Sequence, residues 1–156
     1  MKELKIYYKG VDTKLIQAAG GQNIALEGAS AEQSTPTMEE ILQYNPDIIF
    51  LSNWDDVTPQ NLYDNTIEGQ DWSHVEAVMN RRVYKVPIGL YRWTPPNCTE
   101  KPLYALYLAS MLQPDVFSEV DMRGEIKAFF ERFFDYKLSD EQVDRVMHTD
   151  MNAVSR

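Results

Sequence analysis

Two clusters in this 156-residue chain carry side chains suited to gripping a small molecule: Asn53-Trp54-Asp55-Asp56 and Tyr91-Arg92-Trp93. Indole and phenol rings offer flat apolar area with a polar handle, and a guanidinium holds an anionic group through two parallel hydrogen bonds. A structural reading is also open. Tyr91 and Trp93 could pack beneath the Pro95-Pro96 turn, and Arg92 could pair with a surface carboxylate. Nothing nearby supplies a reaction. His74 and His148 are the only histidines, and both fall on or beside expected helices away from these clusters. They read as structural or surface residues. Cys98 is the single cysteine, which excludes an internal disulfide and a thiolate metal cage. There is no Gly-x-Ser-x-Gly elbow and no phosphate loop, and Gly20-Gly21 follows a helix, so it reads as a helix stop. The expectation is a binder and not an enzyme, with no catalytic residue, no metal ligand and no cofactor.

The two clusters need strands to position them. Ile48-Ile-Phe-Leu51 is a short continuous apolar run, as expected of a strand covered on both faces, and Asn53 stands at its end. A helix precedes it. Thr35 is the expected cap, with Pro36 at the first position, and Asn45-Pro46 is the stop. Arg82 to Ile88 reads as a second strand leading into the aromatic loop Gly89–Asn97, and Lys85 within it has no evident role. Leu4 to Tyr8 reads as a strand followed by Lys9-Gly10-Val11. A short helix capped by Asp12 or Thr13 then runs to Gly20-Gly21, and Asn23 to Leu26 is a weaker strand. Thr58-Pro59 opens a short helix, and Asp71 is expected to cap another through Met79.

The C-terminal third reads as helical. Thr99 to Leu112 is apolar on nearly all sides, as for a buried helix. From Asp121 to Asp135, Ile126, Phe129, Phe130, Phe133 and Phe134 recur at helical spacing and are expected to be core. Ser139 and Gln142 make a capping box for a last short helix.

Alternating strands and helices predict a three-layer α/β sandwich with a mostly parallel central sheet, a Rossmann-like lobe with extra C-terminal helices. Residues 1–148 are expected as one lobe, with 149–156 as a frayed tail. In such sheets ligands sit beyond the strand ends, which makes Asn53, Trp54, Tyr91, Arg92 and Trp93 the candidate ligand-binding residues. Acidic residues outnumber basic ones, 24 to 15, which argues against a nucleic-acid partner. The strand ending at Asn53 superficially resembles the phospho-acceptor strand of receiver domains, but an aspartate is needed where Asn53 stands. A free-standing signalling or interaction domain is therefore the alternative.

The order of several segments is more specific than any one motif. Ala19-Gly-Gly-Gln-Asn-Ile-Ala25, Thr37-Met-Glu-Glu-Ile-Leu42 with Asn45-Pro-Asp-Ile-Ile-Phe50, and Asn80-Arg-Arg-Val-Tyr-Lys-Val-Pro87 come in turn. Pro102-Leu-Tyr-Ala-Leu-Tyr-Leu-Ala109, Leu112-Gln-Pro-Asp-Val-Phe117 and Leu138-Ser-Asp-Glu-Gln142 follow. Together they resemble the C-terminal lobe of substrate-binding proteins of ABC importers for iron–siderophores, haem and vitamin B12. The resemblance implies two α/β lobes joined by a long helix, with the ligand in the cleft between them. It further implies an isolated domain or truncated product that shares its metal-chelate or corrinoid ligand with a missing N-terminal lobe. The expected cargo is an iron complex, siderophore or haem, ahead of cobalamin or an oxyanion such as molybdate. The implied location of the full-length protein is periplasmic, or extracellular and lipid-anchored. The implied partner is the ABC permease, which a C-lobe glutamate engages. Glu39 matches that position, with Glu40 as the fallback, although a first-turn glutamate also suits the helix dipole.

Overall fold

The computed structural model describes residues 13–23, 36–93 and 98–155. The expected strand at Leu4–Tyr8, the Lys9-Gly10-Val11 loop, nearly all of the Asn23–Leu26 stretch and residues 94–97 lie outside the described residues. The described elements are α1 (Thr13–Ala18), α2 (Met38–Tyr44), β1 (Ile49–Leu51), α3 (Pro59–Tyr63), α4 (Glu76–Met79), β2 (Val83–Lys85), α5 (Lys101–Leu112), α6 (Met122–Phe134), α7 (Asp140–Met147) and α8 (Thr149–Asn152). They form a mixed α/β fold with a parallel sheet. The chain divides into two compact units, one holding α2 through β2 plus α8, the other holding α1 and α5 to α7.

In the first unit β1 and β2 pair in parallel, with Ile49, Phe50 and Leu51 opposite Val83, Tyr84 and Lys85. A parallel pair needs a crossover, and α3 and α4 supply it. Ile41, Leu51, Val57, Leu62, Trp72, Val75 and Val83 form the core between these elements. The cap of α2 differs from expectation. Thr37, not Thr35, is the N-cap, because Glu40 three residues on completes a reciprocal capping box. Its carboxylate accepts the Thr37 N–H at 2.7 Å. Asn45 ends α2 in the left-handed conformation at φ 43°. The helix expected from Asp71 shrinks to α4. The Asp71 carboxylate accepts from the Ser73 N–H and hydroxyl at 3.1 and 2.7 Å, which closes a local turn in place of a helical one. Asn45 instead caps α4 from a distance, accepting the Glu76 N–H at 2.9 Å.

The outward edge of β2 is closed by side chains. The Asn152 amide accepts the Lys85 N–H at 2.7 Å and donates to the Lys85 carbonyl at 3.0 Å. The Tyr63 hydroxyl accepts the Val83 N–H at 3.1 Å, and Ser155 donates to the Val83 carbonyl. Residues expected to fray from 149 onward thus include a helix and are tied to the sheet. Each backbone group they cover would otherwise need water or another strand.

In the second unit α1 ends in a Schellman motif. Gly20 stands at φ +84° and Gly21 N–H reaches the Ile16 carbonyl at 2.9 Å. Leu103, Tyr104, Tyr107 and Leu108 of α5, Met122, Ile126 and Phe130 of α6, and Val143 and Val146 of α7 are buried. The aromatic stripe is core only in part. Phe130 is 5% exposed, whereas Phe133 and Phe134 are 61% and 44% exposed. The first turns of α6 place Met122, Ile126 and Phe130 in the core, and its last turn runs past it. There the Phe129 and Phe133 rings meet at a tilt, with centroids 4.8 Å apart.

Candidate ligand-binding site

The loop leaving β1 is held at three points within the first unit. Asn53 donates its amide to the Val86 carbonyl at 2.7 Å, which ties the end of β1 to the end of β2. The Asp55 carboxylate accepts the Val57 N–H at 3.0 Å. Lys85, 4% exposed, sends its ammonium into the same loop and donates to the carbonyls of Asp55 and Val57 at 2.8 Å each. Trp54, between these anchors, is 59% exposed. The loop therefore has a fixed frame with an aromatic side chain standing out from it. Asn53 itself serves the frame.

The aromatic loop belongs to the second unit. Ile88 pairs with Arg92 in an antiparallel bridge, and the Gly89 N–H donates to the Tyr91 carbonyl at 3.1 Å. Tyr91 is 45% exposed, with the Arg92 guanidinium 5.5 Å from its ring centroid and donating to its hydroxyl at 3.2 Å. Trp93 is different. It is fully buried and packs edge-on to Tyr107 with ring centroids 6.3 Å apart, so its ring belongs to the core of this unit. Its indole N–H has no hydrogen-bond partner among the described residues.

Glu100 holds this loop from below and was not singled out by its sequence, because a glutamate ahead of a helix looks like an ordinary first-turn charge. Its carboxylate is fully buried and accepts the Leu90 N–H at 2.8 Å. Gly89 is needed beside it, since a Cβ there would collide with that carboxylate. Lys85 had a clearer signal: a charge within a run otherwise apolar and buried is an anomaly that needs partners.

The two candidate docking residues separate cleanly. Glu39 lies exposed in the first turn of α2, while the Glu40 carboxylate is engaged by the Thr37 backbone and hydroxyl. Among the described residues no group of His, Cys, Asp and Glu could hold a metal ion, and no helix is long and apolar enough to cross a membrane.

A family model described as "Periplasmic binding protein" matches residues 7–88, just over half of the chain. The chain is 27% identical over 134 residues to the molybdate-binding protein MolA of Haemophilus influenzae, covering 85% of this chain and 36% of that protein. A periplasmic solute-binding protein of Veillonella parvula superposes with a TM-score of 0.86 at 37% identity, over 92% of this chain and 43% of that one. An ABC transporter solute-binding protein of Sulfurospirillum deleyianum gives 0.65 at 25% identity, over 87% and 41%. The chain thus spans less than half the length of each of these relatives.

Proposed function

Because the chain belongs to the periplasmic binding protein family, we propose that it acts as one lobe of the solute-binding component of an ABC importer, working in the periplasm. The observation that carries this reading is the pair of exposed aromatics, Trp54 and Tyr91, on loops braced from beneath by buried charged residues. Each loop presents exposed aromatic area, and on the second Arg92 lies beside Tyr91, which suits capture of a solute. Trp54, Tyr91 and Arg92 are the ligand contacts of this reading, with Asn53 shaping the first loop.

An iron complex, siderophore or haem, is the first candidate cargo, because its broad apolar faces match exposed indole and phenol rings. The similarity to MolA favours a second reading, an oxyanion such as molybdate, for which Arg92 would be the anchor. A calorimetric screen of the two-lobed protein against a ferric siderophore, haem, cobalamin and molybdate tests the proposal. Saturable binding of one class is expected, and no binding of any would refute it.

Glu39 is proposed as the contact to the permease. Its exposed carboxylate gains from the start of α2 and remains available to an arginine of the partner. Glu39→Ala should leave ligand affinity intact and reduce ligand-stimulated transport. Normal import by that variant would remove Glu39 from the account.

A further inference from the structure

We propose that Lys85 is a positioning residue, a tethered cation that sets the shape of the loop presenting Trp54. Its neighbours Val83, Tyr84 and Val86 are 0%, 8% and 1% exposed, so the strand needs no charge to pack. Burying an ammonium is costly unless every proton finds an acceptor. Here one three-residue segment supplies three acceptors: the carbonyls of Asp55 and Val57 at 2.8 Å, and the Asp55 carboxylate at 3.6 Å. That carboxylate also accepts the Val57 N–H, so the segment curls around the ammonium as a loop does around a bound cation. The main chain of Lys85 is fixed by the Asn152 amide on both its N–H and its carbonyl, and Asn53 reaches the Val86 carbonyl beside it. Residues on either side of Trp54 are therefore anchored to β2 while its side chain stands exposed. A loop ordered in advance loses less freedom on binding, which strengthens affinity without any new contact.

The meaning of Trp54 as a ligand contact rests on the proposed function, but the shaping of the loop does not, and the experiment separates the two. The chain has three tryptophans. Trp72 and Trp93 are 1% and 0% exposed, so acrylamide quenching and the mobile part of the anisotropy report mainly on Trp54. In the 156-residue chain, Lys85→Met should keep a cooperative melt while Val57 amide exchange accelerates by about tenfold or more and Trp54 anisotropy falls. Lys85→Ala should loosen the loop in the same way and be tightened again by millimolar propylammonium chloride, with sodium chloride at equal ionic strength having no effect. Asp55→Ala, at a less buried position, provides a second variant and should also loosen Trp54. Unchanged exchange and anisotropy in Lys85→Met, or in Asp55→Ala should the lysine variants fail to fold, would overturn the proposal. Equal rescue of Lys85→Ala by sodium chloride would do the same. If the loop loosens in these variants but the two-lobed wild type binds none of a ferric siderophore, haem, cobalamin and molybdate, the proposed function falls and the role of Lys85 stands.

Discussion

Asp140 shows how a single surface carboxylate can link stability to pH. Lys127 donates to it at 2.7 Å and Arg123 lies at 3.4 Å, and these cations, Lys127 first, hold its carboxyl below the ordinary value of 3.8. A depressed folded-state pKa contributes stability that is full above the unfolded value and is lost as pH falls through the folded one. The difference in urea midpoint between wild type and Asp140→Asn should therefore close as the pH drops from about 5 to about 2. A difference that stays constant over that range would show that the ion pairs do not favour the charged form. Burial decides the aromatics. Phe130→Ala should cost about 3–5 kcal/mol, while Phe133→Ala should stay within about 0.5 kcal/mol, both read from chemical denaturation. Sequence periodicity showed where this stripe lies but not where the neighbouring helices end. It equally could not separate the exposed Trp54 and Tyr91 from the buried Trp93, since which aromatic faces inward depends on what packs beneath the loop.

At the scale of elements, caps decided boundaries more than apolar pattern did. The capping boxes at Thr37 with Glu40 and at Ser139 with Gln142 form as reciprocal hydrogen bonds. Thr37→Ala should cost about 1 kcal/mol, a loss readable from the melt, and Thr35→Ala should cost nothing comparable. Asn45→Ala should cost more than loss of a left-handed cap alone, because it also frees the Glu76 N–H at the start of α4. The Ser139 box was legible because its partner spacing is local. The Thr37 box was equally local, but Pro36 drew the start of the helix two residues too early. The shrinkage of the helix after Asp71 was not legible, since Asp71 satisfies a cap and a local turn equally well in sequence, and Asn45 lies 31 residues from the N–H it caps. Strands β1 and β2 were readable from their apolar runs, and their parallel pairing follows from the helices between them.

For the molecule as a whole, the C-terminal segment returns to the first unit and completes its sheet edge through Asn152 and Ser155. Removing residues 149–156 should lower the unfolding midpoint and raise amide exchange at Val83 and Lys85 ahead of Ile49. An unchanged melt would mean that water replaces these side chains at no cost. A tail of mixed polarity gave no sign of this in sequence, because the bonds are made by side chains to backbone and leave no periodicity. Family membership was legible from the order of segments. Cargo was not, because the contacts proposed for it, Trp54, Tyr91 and Arg92, leave no repeating pattern.

In the proposed function Trp54 and Tyr91, each on its own braced loop, are contacts to solute. The measurement that bears on it most directly is the equilibrium affinity of the two-lobed protein for its best-binding solute, compared among wild type, Trp54→Ala, Tyr91→Ala and Arg92→Ala. The account predicts at least about a tenfold weaker Kd in the aromatic variants, which corresponds to about 1.4 kcal/mol or more, with melting temperatures nearly unchanged. Kd values equal to wild type in all three variants would contradict it.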